Sequence, residues 1–146
     1  MGDTKPPIVV DLSWDTELRF TAHAGDVQFG LDGASTAGPS PMQTLGAALA
    51  GCMAIDLVHI LSRGRHQPEA LRARLVGERA GEEPRRFERI HLHFTIQGLV
   101  PAAAVDRAIA LSREKYCSVW HSMRPDLDFR ISYDIVDGRA DAGARE

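Results

Sequence analysis

Lysine is nearly missing from this chain: two lysines stand beside fifteen arginines, and these seventeen bases face twenty acids, a formal net charge of −3. A balanced, slightly acidic chain lacks the basic footprint of a nucleic-acid binder, so no nucleic acid is expected as a partner. Aromatic residues make up only 6%, against 44% hydrophobic and 25% charged residues, the composition of an ordinary globular protein. No uninterrupted apolar run reaches the roughly 20 residues that span a bilayer. The longest, Leu45 to Leu61, carries Asp56 and His59 and reads as a core helix rather than a membrane segment. The start, Met1 to Pro7, has no apolar leader core, which gives the cytoplasm as the expected location. Cysteine is scarce too. Cys52 and Cys117 alone cannot build a disulfide framework, and a reducing compartment would hold them as thiols.

What is present suits one domain over residues 1–146, with a core at about 8–136 and a flexible tail over 137–146. Ile8–Leu12, Leu18–Ala22 and Val27–Leu31, punctuated by Asp15-Thr16, Gly25-Asp26 and Asp32-Gly33, predict a meander of three strands. Ser40, Pro41 and Gln43 then form a helix start with capping-box spacing. The helix runs to about Arg63, where Gly64 and Pro68 stop it. Leu45, Leu49, Cys52, Ile55, Asp56 and His59 share a face by spacing. Gly46, Ala47, Ala48, Ala50 and Gly51 carry almost no bulk, so a second helix is expected to pack closely there. Leu71–Arg79 and Arg89–Gln97 predict two further strands. In the second, Ile90, Leu92, Phe94 and Ile96 point inward, and His91 and His93 outward. Arg85, Arg86 and Arg89 beside Glu82, Glu83 and Glu88 read as an exposed hairpin of mixed charge. Pro101 opens a helical stretch to about Met123 that is long enough to require a break near Cys117. Phe129 to Ile135 is a last strand. The order predicts an α+β fold with antiparallel sheets around a long central helix, and a helix so apolar is best covered in an interlocked homodimer.

The two cysteines admit several chemistries. One thiolate could be oxidised to a sulfenic acid that the other resolves to a disulfide, provided their helices touch; the plain alternative is a pair of unrelated core cysteines. Cys52 lies twelve residues beyond Ser40, roughly 18 Å along the helix, so the helix dipole cannot lower its pKa. A local cation would have to, and Arg19, on an early strand, is the candidate. His59 lies seven residues after Cys52, and His121 four after Cys117, so two thiolates and two imidazoles could in principle ligate zinc. His121 could instead act as base to Cys117 in a thiol hydrolase. Neither spacing matches a usual zinc signature.

Gly38-Pro39-Ser40-Pro41-Met42-Gln43, then Ala47-Ala48-Leu49-Ala50-Gly51-Cys52, then Glu114-Lys115-Tyr116-Cys117-Ser118-Val119 resemble the OsmC/Ohr family of osmotically inducible and organic-hydroperoxide-resistance proteins. The element order matches over about residues 8–136. The resemblance implies an intertwined α+β homodimer with active sites at the subunit interface. It implies reduction of organic or lipid hydroperoxides, with Cys52 peroxidatic and Cys117 resolving, a dithiol reductant of lipoyl type, and no metal or organic cofactor. Leu45, Leu49, Met53, Tyr116 and Trp120 are then expected to line an apolar substrate pocket. The sequence departs from the family at one place: peroxidase members carry a glutamate where Met42 stands, and that acid orients the activating arginine. Arg19 best matches the arginine, and Glu114 is the candidate replacement acid. The alternative is a non-catalytic redox sensor or apolar-ligand-binding dimer of the OsmC-like branch.

Overall fold

The protein is described by a computed structural model over residue 2 and residues 4–137; apart from Asp137, the expected flexible tail lies outside the described residues. The chain forms two compact units, one ending at Leu45 and one beginning at Gly46.

The first unit is an antiparallel meander of β1 (Asp11–Thr16), β2 (Arg19–Ala24) and β3 (Val27–Asp32). β1 begins three residues later than the apolar run Ile8–Leu12 predicts, and Ile8 itself is 93% exposed. The turn into β2 explains the shift. Thr16 pairs with Arg19, so Glu17 and Leu18 form the turn in place of Asp15 and Thr16, with Glu17 at φ 48°. A left-handed glutamate is uncommon and leaves no sequence signal. The next turn is conventional: Ala24 pairs with Val27 around Gly25, whose φ of 62° costs a glycine little.

The unit closes on the start of the long helix α1 (Pro41–Arg63). Here the predicted capping box is complete. The Gln43 amide donates to Ser40 Oγ at 3.1 Å, and the Ser40 amide donates to Gln43 Oε1 at 2.9 Å. Two donors that the helix itself leaves unpaired are thereby satisfied.

The second unit takes the rest of α1, then β4 (Ala70–Arg79), β5 (Phe87–Gln97), α2 (Ala102–Leu111), a single π-turn (Ser112–Tyr116), the short α3 (Ser118–His121) and β6 (Asp128–Val136). The helical stretch breaks at Cys117, as its length requires. β5 is the central strand, and the alternation in its sequence is realised: Ile90, Leu92, Phe94 and Ile96 are all buried.

Three further expectations are corrected. The α+β class holds and three of the four strand pairs are antiparallel, but β6 runs parallel to β5. The reason is the helical segment between them, a crossover that returns the chain to the same end of the sheet. The core face of α1 also differs from the one read from spacing. Its buried positions are Gly46, Leu49, Met53, Leu57 and Leu61, and the leucines and methionine join β5 in one cluster. Each such side chain contributes about 1.5–3 kcal/mol by leaving water. Ile55, expected on the inner face, is 70% exposed. Apolar residues stand on every side of α1, so spacing alone does not choose its core face. Nor is the small-residue segment a helix–helix seam throughout: a Cβ on Gly46 would stand 3.3 Å from Leu75 of β4, and one on Gly51 would meet nothing within 4 Å. In length and composition α1 could cross a membrane, yet its leucine stripe is spent on the core.

Candidate functional site: a thiol pair framed by Asp56 and Ser112

Cys52 projects from the middle of α1 and is half-buried; Cys117 is fully buried; both are free thiols. Cys117 occupies the joint between the π-turn and α3, at φ −74° and ψ 97°. Its amide donates to the Ser112 carbonyl at 2.8 Å, the wide hydrogen bond of a π-turn. Its sulfur accepts the Trp120 amide at 3.3 Å, capping α3. Burial pushes the Cys117 thiol up to about 11, and the Cys52 thiol, close enough to hydrogen-bond with it, adds to the rise; the Trp120 and Val119 amides pull the other way. A buried thiol beside another sulfur and no cation holds its proton. The two cysteines, far apart in sequence, are thus side-chain neighbours.

A hydrogen bond locks this arrangement. Ser112, fully buried, donates its hydroxyl to Asp56 Oδ2 at 2.8 Å. Asp56 stands one helical turn beyond Cys52 on α1, and Ser112 carries the carbonyl that receives Cys117. The serine therefore ties the helix of one thiol to the turn of the other. Spacing places Asp56 on the Cys52 face of α1 and Ser112 on one stripe of the second helical stretch with Val105 and Ala108, but gives neither residue a role. A serine inside a helical pattern gives no local sign that it will face a carboxylate 56 residues away.

Arg19 belongs to the first unit. Its Nε lies 3.5 Å from Oδ2 of Asp32, which is 2% exposed. Asp32 was read only as turn punctuation, yet its carboxylate accepts the Ala34, Thr36 and Ala37 amides and the Thr36 hydroxyl. The Ala37 and Ala34 amides, then Thr36, hold its pKa well below the usual carboxylate range against the cost of burial. With its oxygens so occupied, the carboxylate attracts Arg19 by charge, and the buried Nε makes no hydrogen bond. Asp32 is therefore the acid facing Arg19. Glu114, the expected orienting acid, is exposed on the π-turn and has no ion pair to another described residue.

The expected pocket residues divide. Leu49 and Met53 are wholly buried in the core, because the core face of α1 is rotated from the predicted one. Trp120 stacks on Phe129 with ring centroids 4.6 Å apart, and the Arg113 guanidinium lies 5.5 Å from the Trp120 ring. Leu45 is 37% and Tyr116 48% exposed; Tyr116 lines a cavity in the second unit that it shares with Asp56 and His59. His121 Nε2 meets the Arg113 carbonyl at 2.9 Å. Among the described residues no three His, Cys, Asp or Glu side chains are grouped to hold a metal, which leaves the zinc arrangement without a site. On the outer face of β5, His91 and His93 each meet Ser132 Oγ at 2.7 Å, and Arg89 pairs with Glu78 across the hairpin.

A long helix passing beside a small sheet, with paired thiols at a break in the opposite helix, defines a class of cysteine protein. The chain belongs to the OsmC-like protein family, whose sequence profile matches residues 32–132. Protein YhfA of Escherichia coli K12 is 40% identical over 128 residues, covering 86% of this chain and 96% of that protein. A hypothetical protein from Aquifex aeolicus has the same fold, with a TM-score of 0.85 at 26% identity over 91% of this chain and 98% of that one. An organic hydroperoxide resistance protein OsmC from Legionella pneumophila shares the fold at 16% identity, with a TM-score of 0.68, covering 90% of this chain and 99% of that one.

Proposed function

We propose that this protein is a thiol-dependent peroxidase that reduces organic hydroperoxides in oxidative-stress defence. The observation that carries the proposal is the side-chain contact between Cys52 and Cys117. In this reading the half-buried Cys52, as thiolate, attacks the terminal peroxide oxygen. The S–O bond forms, the O–O bond breaks, and the alkoxide leaves as an alcohol once it takes a proton. Cys52 is then a sulfenic acid. Cys117, kept protonated by burial until that moment, attacks the Cys52 sulfur; the S–S bond forms, and hydroxide leaves with the Cys117 proton as water. A dithiol of lipoyl type reduces the disulfide and is itself oxidised to a cyclic disulfide. Arg19, held beside Asp32, is the proposed activating cation, so that Asp32 serves where family peroxidases use the glutamate replaced here by Met42.

A homodimer is part of the proposal. Ile55 and Val58 on the outer side of α1, and Trp14, Leu18 and Val27 on the first sheet, are exposed, and apolar surface of that extent calls for a partner. We place the protein in the cytoplasm, where the thiols are returned to the reduced state.

Steady-state consumption of cumene hydroperoxide with dihydrolipoamide tests the activity. Sustained turnover that Cys52→Ser abolishes is the expected result. One round of oxidation that then stops would overturn it in favour of a redox sensor, the reading that Met42 favours. Light scattering after size exclusion tests the dimer, and a monomer at micromolar concentration would exclude it.

A further inference from the structure

Cys52, Asp56, His59 and Arg63 follow one another at intervals of four, three and four residues, which stacks them along one side of α1. Beside this line in the second unit is an open cavity of about 580 Å³ whose lining includes Asp56, His59, Arg63, Arg107, Leu111 and Tyr116. That volume is in the range of small-molecule sites, about 300–1,000 Å³. Two of its lining residues neighbour the thiols along the chain: Asp56 stands one turn beyond Cys52, and Tyr116 immediately precedes Cys117. Arg63 and Arg107 furnish positive charge, and Leu111 an apolar wall. A second cavity of about 390 Å³ shares Ile60, Gly64 and Arg107 with the first and adds His66.

The charge here is unspent. Elsewhere on the surface Arg89 is paired with Glu78 and Arg124 with Asp126. The His59, Arg63 and Arg107 side chains have no hydrogen-bond or ion-pair partner among the described residues. The one acid in the lining, Asp56, already accepts the Ser112 hydroxyl.

We propose that this cavity is a binding site for an amphipathic anion: an aliphatic chain with a carboxylate or phosphate head held by Arg63 and Arg107. The arginine fork suits both heads, which accept paired N–H donors. The spacing also sets a length. Arg63 lies eleven residues past Cys52, about 16 Å of helix rise, and an extended chain advances about 1.2 Å per bond. A ligand reaching from the arginines to the thiol therefore spans about a dozen bonds. As a binding site the cavity stands without the peroxidase reading; presentation of a peroxide on that chain to Cys52 rests on it.

Calorimetric titration of the reduced full-length protein with decanoate, decyl phosphate, decanol and inorganic phosphate tests the site. Decanoate is expected to bind at least about tenfold more tightly than decanol and more tightly than inorganic phosphate. Arg63→Gln and Arg107→Gln should each erase most of that preference, while Arg72→Gln on β4 leaves it intact. Tighter binding of decyl phosphate, lost in the same two variants, would uphold the site and identify its head group as phosphate. Equal binding of decanoate and decanol, or a preference indifferent to both substitutions, would overturn the proposal. A failure of the peroxidase reading looks different: the uncharged cumene hydroperoxide is not turned over, while decanoate still binds.

Discussion

Ser112 is bonded in two directions, its hydroxyl donating to Asp56 Oδ2 at 2.8 Å and its carbonyl receiving the Cys117 amide at 2.8 Å. It is the polar link between the segments that bear the two thiols. Ser112→Ala is expected to cost about 1–3 kcal/mol, since a partly buried carboxylate loses its donor. It should also slow formation of the Cys52–Cys117 disulfide after one equivalent of cumene hydroperoxide, read by intact mass against time. Asp56→Asn retains an acceptor oxygen and should be the milder change. Disulfide formation at the wild-type rate in Ser112→Ala would show that packing alone holds the thiols together.

Cys117 gives a pH signature on the alkaline side. Its thiol has an ordinary pKa of 9.0, raised to about 11 in the folded protein, chiefly by burial. The folded state thus holds this proton more tightly than the unfolded chain. Its stabilising effect is complete below pH 9 and drains away as the pH rises toward 11. Urea midpoints of the reduced protein should fall over that interval, and the fall should be shallower in Cys117→Ala. Parallel curves for the two proteins would contradict the assignment.

Asp32 works in the opposite direction. Its carboxylate is held ionised by the Ala37 and Ala34 amides and by Thr36, so its contribution is present above the ordinary pKa of 3.8 and is lost as the pH falls below it. Asp32→Asn should lower Tm at pH 7, and the gap to wild type should narrow in acid. The substitution should also loosen Arg19, and a Cys52→Ser-sized loss of peroxidase turnover in Asp32→Asn would place the aspartate in the activating apparatus.

Gly77 has a steric role. A Cβ there would overlap Phe87 Cε1 and come within 2.7 Å of its Cδ1. Gly77→Ala must displace the ring at the start of β5, and overpacking of this kind costs about 1–3 kcal/mol. Phe87→Leu, which removes the ring, should relieve much of that cost in the double variant. Full additivity of the two substitutions in denaturant titrations would be the contrary result.

Where the signal was local, the chain announced its structure. The Ser40–Gln43 box is readable because both partners sit within one turn, and β5 because burial on one face imposes a period of two. The break at Cys117 follows from the length of the helical run. The missed features depend on distant partners. The turn at Glu17 has no glycine or asparagine to mark it. The direction of β6 depends on where the α2–α3 crossover returns the chain, and the core face of α1 on which side β5 approaches. Asp32 resembled any acid before a glycine until its loop folded around it.

The amino-acid order alone determined the run of elements, the helix cap, the alternating strand and the presence of two thiols in family-like surroundings. Those are set by backbone preferences and by periodicity over a few residues. Only the tertiary structure decided that the thiols meet, that Ser112 and Asp56 hold them, and that Asp32 stands beside Arg19. Each of these is a contact between segments remote in the chain, and its energy depends on burial and distance that no short window of sequence contains.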